Sequence, residues 1–106
     1  MATPESKVKE RVKKLLDKYG AYYFPPATGG YGRSGIPDIV GCYRGFFFAV
    51  ECKAGTNKPT ALQERELQRI RDAGGVALVV NEENLEALEQ CLTSIQGEEC
   101  GKPTTG

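Results

Sequence analysis

The sequence predicts an α/β protein in which a mixed β-sheet is flanked by helices, with the elements in the order αβββαβα. Two runs, 39–43 and 46–52, are rich in β-branched and aromatic residues and are separated by two residues, which is typical of a β-hairpin. Amphipathic helical patterns precede and follow this hairpin. A strand, a helix and a further strand then follow one another, and such a crossover joins parallel strands. The sheet is therefore expected to be mixed.

The chain has the length and composition of one globular domain, with 106 residues, 40% hydrophobic and 26% charged. We expect this domain to span residues 1–96, followed by a disordered tail over 97–106. No apolar run is long enough to cross a membrane, and the basic N-terminus lacks the apolar segment of a secretion signal. The expected protein is soluble, intracellular and free of the membrane, in the cytoplasm of a host cell if it is viral.

The cysteines do not have the spacing of a zinc site, since there is no Cys-x-x-Cys pair and no histidine. Cys42 and Cys52 fall in strands that are predicted to be buried, and Cys91 falls in a helix. We interpret them as small core residues of a protein in a reducing compartment. The fourth cysteine is Cys100.

The first predicted helix begins at Pro4, with Thr3 as its N-cap, and ends at Gly20. Glu5 falls on the inward stripe of this helix, because it precedes the first apolar position by three residues. The helix dipole alone also favours an acid in the first turn, so the two explanations stay open. The inward stripe consists of Val8, Val12, Leu15 and Tyr19.

A glycine-rich loop over 25–35 follows a short predicted strand, 21–24, and is expected to be flexible because it has no apolar period. Tyr31, Arg33 and Ser34 in this loop suit contacts with a phosphate backbone or an unstacked base. An ordinary exposed connection is the alternative. The length of the loop and its position just before the hairpin favour a function.

The hairpin turn is expected to consist of Arg44-Gly45, with a positive φ at the glycine. A turn of two residues places Asp38 opposite Glu51, on one face of the sheet, with Cβ atoms about 5 Å apart. Lys53 lies two residues beyond Glu51 and shares that face. A bulge at Gly41 would shift this register.

Two converging carboxylates repel each other unless a cation joins them. Carboxylate oxygens favour Mg²⁺ or Mn²⁺, which also accept phosphate oxygens as ligands. Beside such a metal, Lys53 could orient a water molecule or stabilise charge that develops on a phosphate. The alternative is a simple ion pair between Lys53 and one of the acids at the end of a strand.

After the hairpin, the sequence predicts a helix over 60–73, a buried strand over 76–80 and an amphipathic helix over 82–96. Thr60 and Gln63 have the spacing of a capping box. Gln63 also shares the inward stripe of its helix, so that both a capping role and a role at the carboxylates remain open.

In order and spacing, these residues resemble the Pro-Asp…(Asp/Glu)-x-Lys signature of the PD-(D/E)xK, restriction-endonuclease-like nucleases, through Pro37-Asp38 and Glu51-Cys52-Lys53. Within that superfamily, Gly35-x-Pro37-Asp38 with an earlier Glu and a later Gln is similar to the virus-type replication-repair nuclease (VRR-NUC) domain. It is also similar to the archaeal Holliday junction resolvases. The resemblance covers Glu5 to Val80.

The resemblance implies a restriction-endonuclease-like core and an endodeoxyribonuclease that depends on Mg²⁺ or Mn²⁺. It implies that Asp38, Glu51 and the backbone carbonyl of Cys52 hold the metal, with Glu5 as a further candidate ligand. Lys53 would act on the attacking water, and Gln63 would support the site.

The partner implied by this resemblance is DNA, and a branched substrate such as a four-way (Holliday) junction in repair or recombination would require a homodimer for its two cuts. Through Arg71 the chain has 13 Lys and Arg against 7 Asp and Glu, whereas the remainder has 1 against 7, so its first part suits a polyanion. The candidate DNA-binding residues are Lys7, Arg11, Tyr31, Arg33, Ser34, Lys58, Arg65 and Arg69.

Other functions remain open at this point. The chain could be a non-catalytic nucleic-acid-binding module with a nuclease fold, or a nuclease without junction preference. It could also be a structural domain in which lysines merely neutralise the carboxylates. Cleavage that requires magnesium separates the nuclease from the other two, and salt-sensitive binding of DNA separates these two from each other.

Overall fold

The computed structural model describes residues 3–27 and 34–98 and has the predicted element order. The four strands form one sheet in the order β1-β2-β3-β4, in which β1, β2 and β3 are antiparallel and β4 runs parallel to β3. The predicted mixed sheet flanked by helices is therefore confirmed. The elements are α1 (Pro4–Tyr19), β1 (Tyr22–Phe24), β2 (Ile39–Tyr43), β3 (Phe46–Cys52), α2 (Ala61–Asp72), β4 (Val76–Val80) and α3 (Leu85–Glu98).

The hairpin of β2 and β3 has the expected two-residue turn, and Tyr43 pairs with Phe46. Arg44 and Gly45 both have positive φ, as a tight turn between antiparallel strands requires. The register continues without interruption to the pair Ile39–Val50, so there is no bulge in this hairpin. At Gly41, a Cβ atom would collide with the carbonyl oxygen of Tyr22, and the glycine thus permits the close approach of β1.

One face of the sheet, which we call the closed face, is covered by α1 and α3. The alternation of β3 places Phe48, Val50 and Cys52 on this face, where they belong to one continuous apolar core with the two helices. From α1, Leu16 is fully buried, whereas Leu15 is only partly buried. The residues of the predicted stripe all lie in the core or pack against it, with Leu15 and Tyr19 at its edge, but the prediction omitted Leu16. Val8, Val12 and Leu16 face the sheet at four-residue spacing.

The other face, which we call the open face, is covered by only one of the described helices, α2. This helix contacts β3 and β4 and buries Leu67. By the strand register, Tyr22, Cys42 and Phe47 lie side by side on the same face, and all three are exposed. Phe47 also lines a groove with residues of the later turns of α2. The prediction that Cys42 is a buried core residue was wrong, because none of the described helices covers β1 and β2 on this side.

The helices begin and end close to the predicted positions. Helix α3 begins at Leu85, three residues later than predicted, because the Asn81 side chain accepts hydrogen bonds from the backbone of Glu83 and Asn84 and holds a turn there. It continues to Glu98, beyond the predicted end, and the remainder of the predicted tail lies outside the described residues. Within the described part of the chain, none of the helices combines the length and apolar character that crossing a membrane requires.

Candidate active site

The hairpin brings Asp38 and Glu51 together where β2 begins and β3 approaches its end. Asp38 directly precedes the pair Ile39–Val50, and its Oδ2 accepts a hydrogen bond of 2.8 Å from the backbone N–H of Cys52. Glu51 is paired with Val79 of β4 on its other side and is 1% exposed. A backbone contact therefore orients one carboxylate, and burial in the middle of the sheet confines the other.

Glu5 joins these two carboxylates from the first turn of α1. One oxygen from each of Glu5, Asp38 and Glu51 can be chosen so that all three lie within 4.8 Å of one another. The N-cap of α1 is Thr3, whose Oγ1 accepts from the backbone N–H of Ser6, so Glu5 is not needed as the cap. Three carboxylates thus converge at one end of the sheet.

Gln63 serves both roles that its spacing left open. Its Oε1 accepts a hydrogen bond of 2.8 Å from the backbone N–H of Thr60, which completes the capping box of α2. Its Nε2 donates to Glu51 Oε2 over 3.1 Å. Because the carbonyl oxygen of the amide is occupied by the cap, the cap turns the donor end of the side chain toward Glu51.

Two lysines reach the carboxylates from different elements. Lys53 Nζ lies 3.4 Å from Glu51 Oε2, and its side chain is 13% exposed. Lys9 Nζ lies 3.5 Å from Asp38 Oδ1, and its side chain is 39% exposed. Sequence reasoning did not single out Lys9, although its position four residues after Glu5 places both residues on one side of α1.

The environment of Glu51 is unfavourable to its negative charge. Burial, and after it the neighbouring Asp38 charge, raise the pKa of the Glu51 carboxyl to about 7 in spite of the opposing effect of Lys53. Oε1 of Glu51 is buried and has no hydrogen-bond partner among the described residues. A buried oxygen that lacks a partner is costly, and a cation held between the carboxylates would satisfy it.

The donor set suits a hard divalent cation. Carboxylate oxygens are ligands of Mg²⁺ and Mn²⁺. The Cys52 thiol is not available as a ligand, because burial and the nearby carboxylates raise its pKa to about 12 and its side chain belongs to the core of the closed face. The residues present therefore fit a magnesium-type or manganese-type site rather than a thiolate site.

The candidate DNA-binding residues separate into groups. Ser34, Arg65 and Arg69 line one groove beside the first turns of α2, and Arg69 Nη1 also lies 3.4 Å from Glu66. Gly35 fixes this arrangement, because its φ is +79° and a Cβ atom there would overlap the carbonyl group of Leu62.

Other candidates lie apart from the carboxylates or outside the described residues. Arg11 lies with Lys14 and Lys18 in a groove between α1 and α3. Lys7 and Lys58 are exposed, and Lys7 projects from a different side of α1 than Glu5. Tyr31 and Arg33 lie outside the described residues.

Comparison with known proteins supports the resemblance. No protein-family profile matches the sequence, and no curated protein matches it. Among solved structures, the chain is similar to one described as a VRR_NUC domain, with a TM-score of 0.69 and 29% sequence identity over 84% of this chain and 97% of that one. The shared fold, together with the Pro-Asp and Glu-x-Lys motifs at its converging strand ends, supports a VRR-NUC domain with a restriction-endonuclease-like core.

Proposed function

We propose that this protein is a metal-dependent DNA endonuclease that cuts branched DNA, such as four-way junctions, as a homodimer. The observation that carries the catalytic part of this proposal is the buried Glu51 carboxylate, which has an unpartnered oxygen and faces Asp38 and Glu5. Such an arrangement is unfavourable for the protein alone and favourable around a divalent cation. The nuclease fold supports the choice of a phosphodiester as the substrate.

In this proposal, Asp38 and Glu51 hold the metal, the backbone carbonyl of Cys52 completes the set, and Glu5 is either a direct or a water-mediated ligand. A bound divalent cation supplies Lewis-acid stabilisation of phosphate oxygens and lowers the pKa of water. The hydrogen bond from Cys52 N–H to Asp38 leaves the other oxygen of this carboxylate for further contacts. The two strand ends therefore need little rearrangement to present oxygen ligands together.

Lys53 is proposed to orient the attacking water and to stabilise negative charge on the phosphate. Its ammonium group lies beside Glu51 and is largely shielded from solvent, which strengthens its electrostatic effect. Gln63 is proposed to hold the Glu51 carboxylate in place through its Nε2 donor. These groups would act at the reacting centre without any change in the fold.

The DNA backbone is proposed to approach past the first turns of α2. Ser34, Arg65 and Arg69 line one groove along α2, where they offer a hydroxyl and two guanidinium groups. Lys58, Tyr31 and Arg33 are proposed as further contacts, while Lys7 and Arg11 of α1 would contact more distant phosphates. Binding through so many phosphate contacts is expected to weaken steeply with salt.

The open face supports the proposed homodimer. Tyr22 is 69% exposed, and Phe24 and Phe47 are also exposed on the same face of the sheet. Exposed aromatic side chains next to an edge strand are typical of interaction surfaces. We propose a second copy of this chain as the partner, because an isologous pair would present two sites at a fixed spacing to the two strands of a junction.

A cleavage panel tests the proposed activity. Four-way junction, flap, splayed and linear duplex DNAs of matched sequence are incubated with the protein in Mg²⁺, Mn²⁺ or EDTA, with each strand labelled in turn. We expect cleavage only with a divalent metal, with a 5′-phosphate on the product and paired cuts in the junction. Sedimentation of the protein at the assay concentration is expected to give a dimer.

The outcomes separate the parts of the proposal. Absence of cleavage on every substrate with either metal would contradict the endonuclease function. Equal rates on junction and duplex would leave a nuclease without junction preference. A monomer at the assay concentration would remove the proposed basis of paired cutting.

A further inference from the structure

Lys9 contacts the candidate site in a way that the proposed mechanism does not use. It lies on α1, one turn after Glu5, and its ammonium group is 3.5 Å from Asp38 Oδ1. The hydrogen bond from Cys52 is made to the other oxygen, Oδ2. Lys9 therefore contacts the oxygen of Asp38 that the backbone leaves available.

A permanent ion pair at this place would oppose metal binding. A cation beside a ligand oxygen repels a divalent metal and competes with it for that oxygen. An ion pair whose lysine is more than a third exposed also contributes little to stability. Stability of the fold thus gives no strong reason for a lysine in this position.

The charges of the cluster suggest where the Lys9 ammonium group goes. When all are ionised, the carboxylates of Glu5, Asp38 and Glu51 face the ammonium groups of Lys9 and Lys53, which leaves one net negative charge. A divalent cation would change this to one net positive charge, which one phosphodiester would neutralise. With a metal bound and no DNA present, the site would therefore carry one uncompensated positive charge. Of the two lysines, Lys9 is the more exposed.

We propose that Lys9 is a phosphate-binding residue of the active site, paired with Asp38 in the free protein and transferred to a DNA phosphate when a metal occupies that carboxylate. The inference rests on the proposed function. A lysine suits this exchange because its four-carbon side chain can move the ammonium group by several ångströms without moving the helix. No covalent step is involved, since one ionic contact replaces another.

The chain offers a closely matched control in Lys13. This residue lies on the same helix, its side chain is 34% exposed, and its Nζ is 3.5 Å from a carboxylate oxygen of Glu10, outside the site. Lys9→Met and Lys13→Met therefore remove the same charge and the same kind of contact. Lys9→Arg retains the charge and serves as the conservative variant.

The test combines two titrations whose expected shifts have opposite signs. By calorimetry without DNA, Lys9→Met is expected to bind Mn²⁺ about 2- to 10-fold more tightly than wild type, because a competing cation is gone. The DNA titration is done in Ca²⁺, and recovery of intact DNA shows that no cleavage occurred. In it, Lys9→Met is expected to bind junction DNA about 3- to 10-fold more weakly than wild type, and the dependence of its affinity on salt is expected to correspond to about one phosphate contact fewer. Lys13→Met is expected to match wild type in the metal titration, and Lys9→Arg to retain DNA binding.

If Lys9 had a merely structural role, Lys9→Met would weaken the binding of both Mn²⁺ and DNA, or would change neither. Either result, in a wild-type protein that binds Mn²⁺ and cleaves DNA, would overturn this inference and leave the proposed function intact. A wild-type protein that neither binds Mn²⁺ nor cleaves DNA would overturn both. Thermal unfolding of the variants identifies any loss that comes from misfolding.

Discussion

The two faces of the sheet differ in what covers them. The closed face carries α1 and α3, and its side chains form one apolar core that includes Leu16, Val50 and Leu88. Of the described helices, the open face carries only α2, with a buried carboxylate at one end and exposed aromatic side chains at the other. The closed face accounts for most of the apolar burial that stabilises the fold. The open face instead holds a buried carboxylate and exposed aromatic side chains, which are energetically unfavourable in the protein without a ligand or partner.

This difference explains why the site can tolerate an unfavourable charge. Glu51 lies in β3 between Val50 and Cys52, whose side chains project from the opposite face of the sheet and are buried in the core. The first turns of α1 and α2 meet at this strand end and bring Glu5 and Gln63 to it. The core thus fixes the positions of groups that would otherwise separate.

The largest expected effect comes from the carboxylates. Asp38→Asn or Glu51→Gln is expected to reduce cleavage about 1,000-fold or more, because each removes a charged ligand from the proposed metal site. DNA binding is expected to survive, since repulsion of the phosphates falls. Gel-based cleavage rates and binding titrations measure the two quantities. Cleavage at the wild-type rate in either variant would show that the open face does not hold the catalytic site.

The next effect concerns stability and tests the closed face. Leu16→Ala is expected to lower the free energy of unfolding by about 2 to 5 kcal/mol, because a fully buried leucine leaves a cavity. Leu15→Ala, at the neighbouring and partly buried position, is expected to cost about 1 kcal/mol. Urea denaturation measures both changes. Equal losses would contradict the assignment of Leu16, rather than Leu15, to the core.

Lys53→Ala is expected to reduce cleavage about 100-fold, as removal of a group that acts on the water or the phosphate does. Its binding of Mn²⁺ is expected to remain, because a protonated lysine is not a metal ligand. Rapid-quench rates and calorimetry measure these two quantities. Loss of Mn²⁺ binding in this variant would assign Lys53 to the structure of the site instead of its chemistry.

A pH-dependent effect follows from the raised pKa of Glu51. The folded protein binds the Glu51 proton more tightly than the unfolded chain does. The protonated carboxyl therefore stabilises the folded state at pH values below the ordinary carboxyl pKa, and this contribution is lost as pH rises through about 7. Glu51→Gln mimics the neutral form. It is therefore expected to match wild type closely at pH 4, below the ordinary carboxyl pKa, and to be more stable by about 1 to 3 kcal/mol at pH 8 without metal. The groups that face Glu51 are Glu5, Asp38, Lys53 and Gln63.

Denaturation at the two pH values, with and without Mn²⁺, measures this effect. Mn²⁺ is expected to stabilise wild type more at pH 8 than at pH 4, because the metal requires the charged carboxylate. The variant is expected to lose most of this response. An advantage of Glu51→Gln that did not grow with pH would show that burial does not penalise the charge.

The smallest effect on stability is expected at the exposed end of the open face. Tyr22→Ser is expected to change the free energy of unfolding of the monomer by about 0.5 kcal/mol or less, because the side chain is mostly in solvent. It is expected to weaken dimerisation in sedimentation experiments, whereas Tyr22→Phe, which retains the ring, preserves it. An unchanged dimer in Tyr22→Ser would move the proposed interface away from this face.

The sequence by itself determined the elements and much of the site. The periodicity of apolar residues and the residues of a turn are local features of the sequence. The hairpin register that sets Asp38 opposite Glu51 therefore followed from the two-residue turn at Arg44-Gly45. The Pro-Asp and Glu-x-Lys motifs supported the nuclease-type fold because they combine local spacing with a known pairing of strands.

Only the tertiary structure decided which residues meet across elements. The sequence left Gln63 between a cap and the site, and the fold assigns it to both, because the amide has two ends. The contact of Lys9 with Asp38 and the exposure of Cys42 depend on how helices are distributed over the two faces of the sheet. Helical and strand periods show which side of an element is apolar, but not which helix covers which strand, since that choice is made by packing between distant segments.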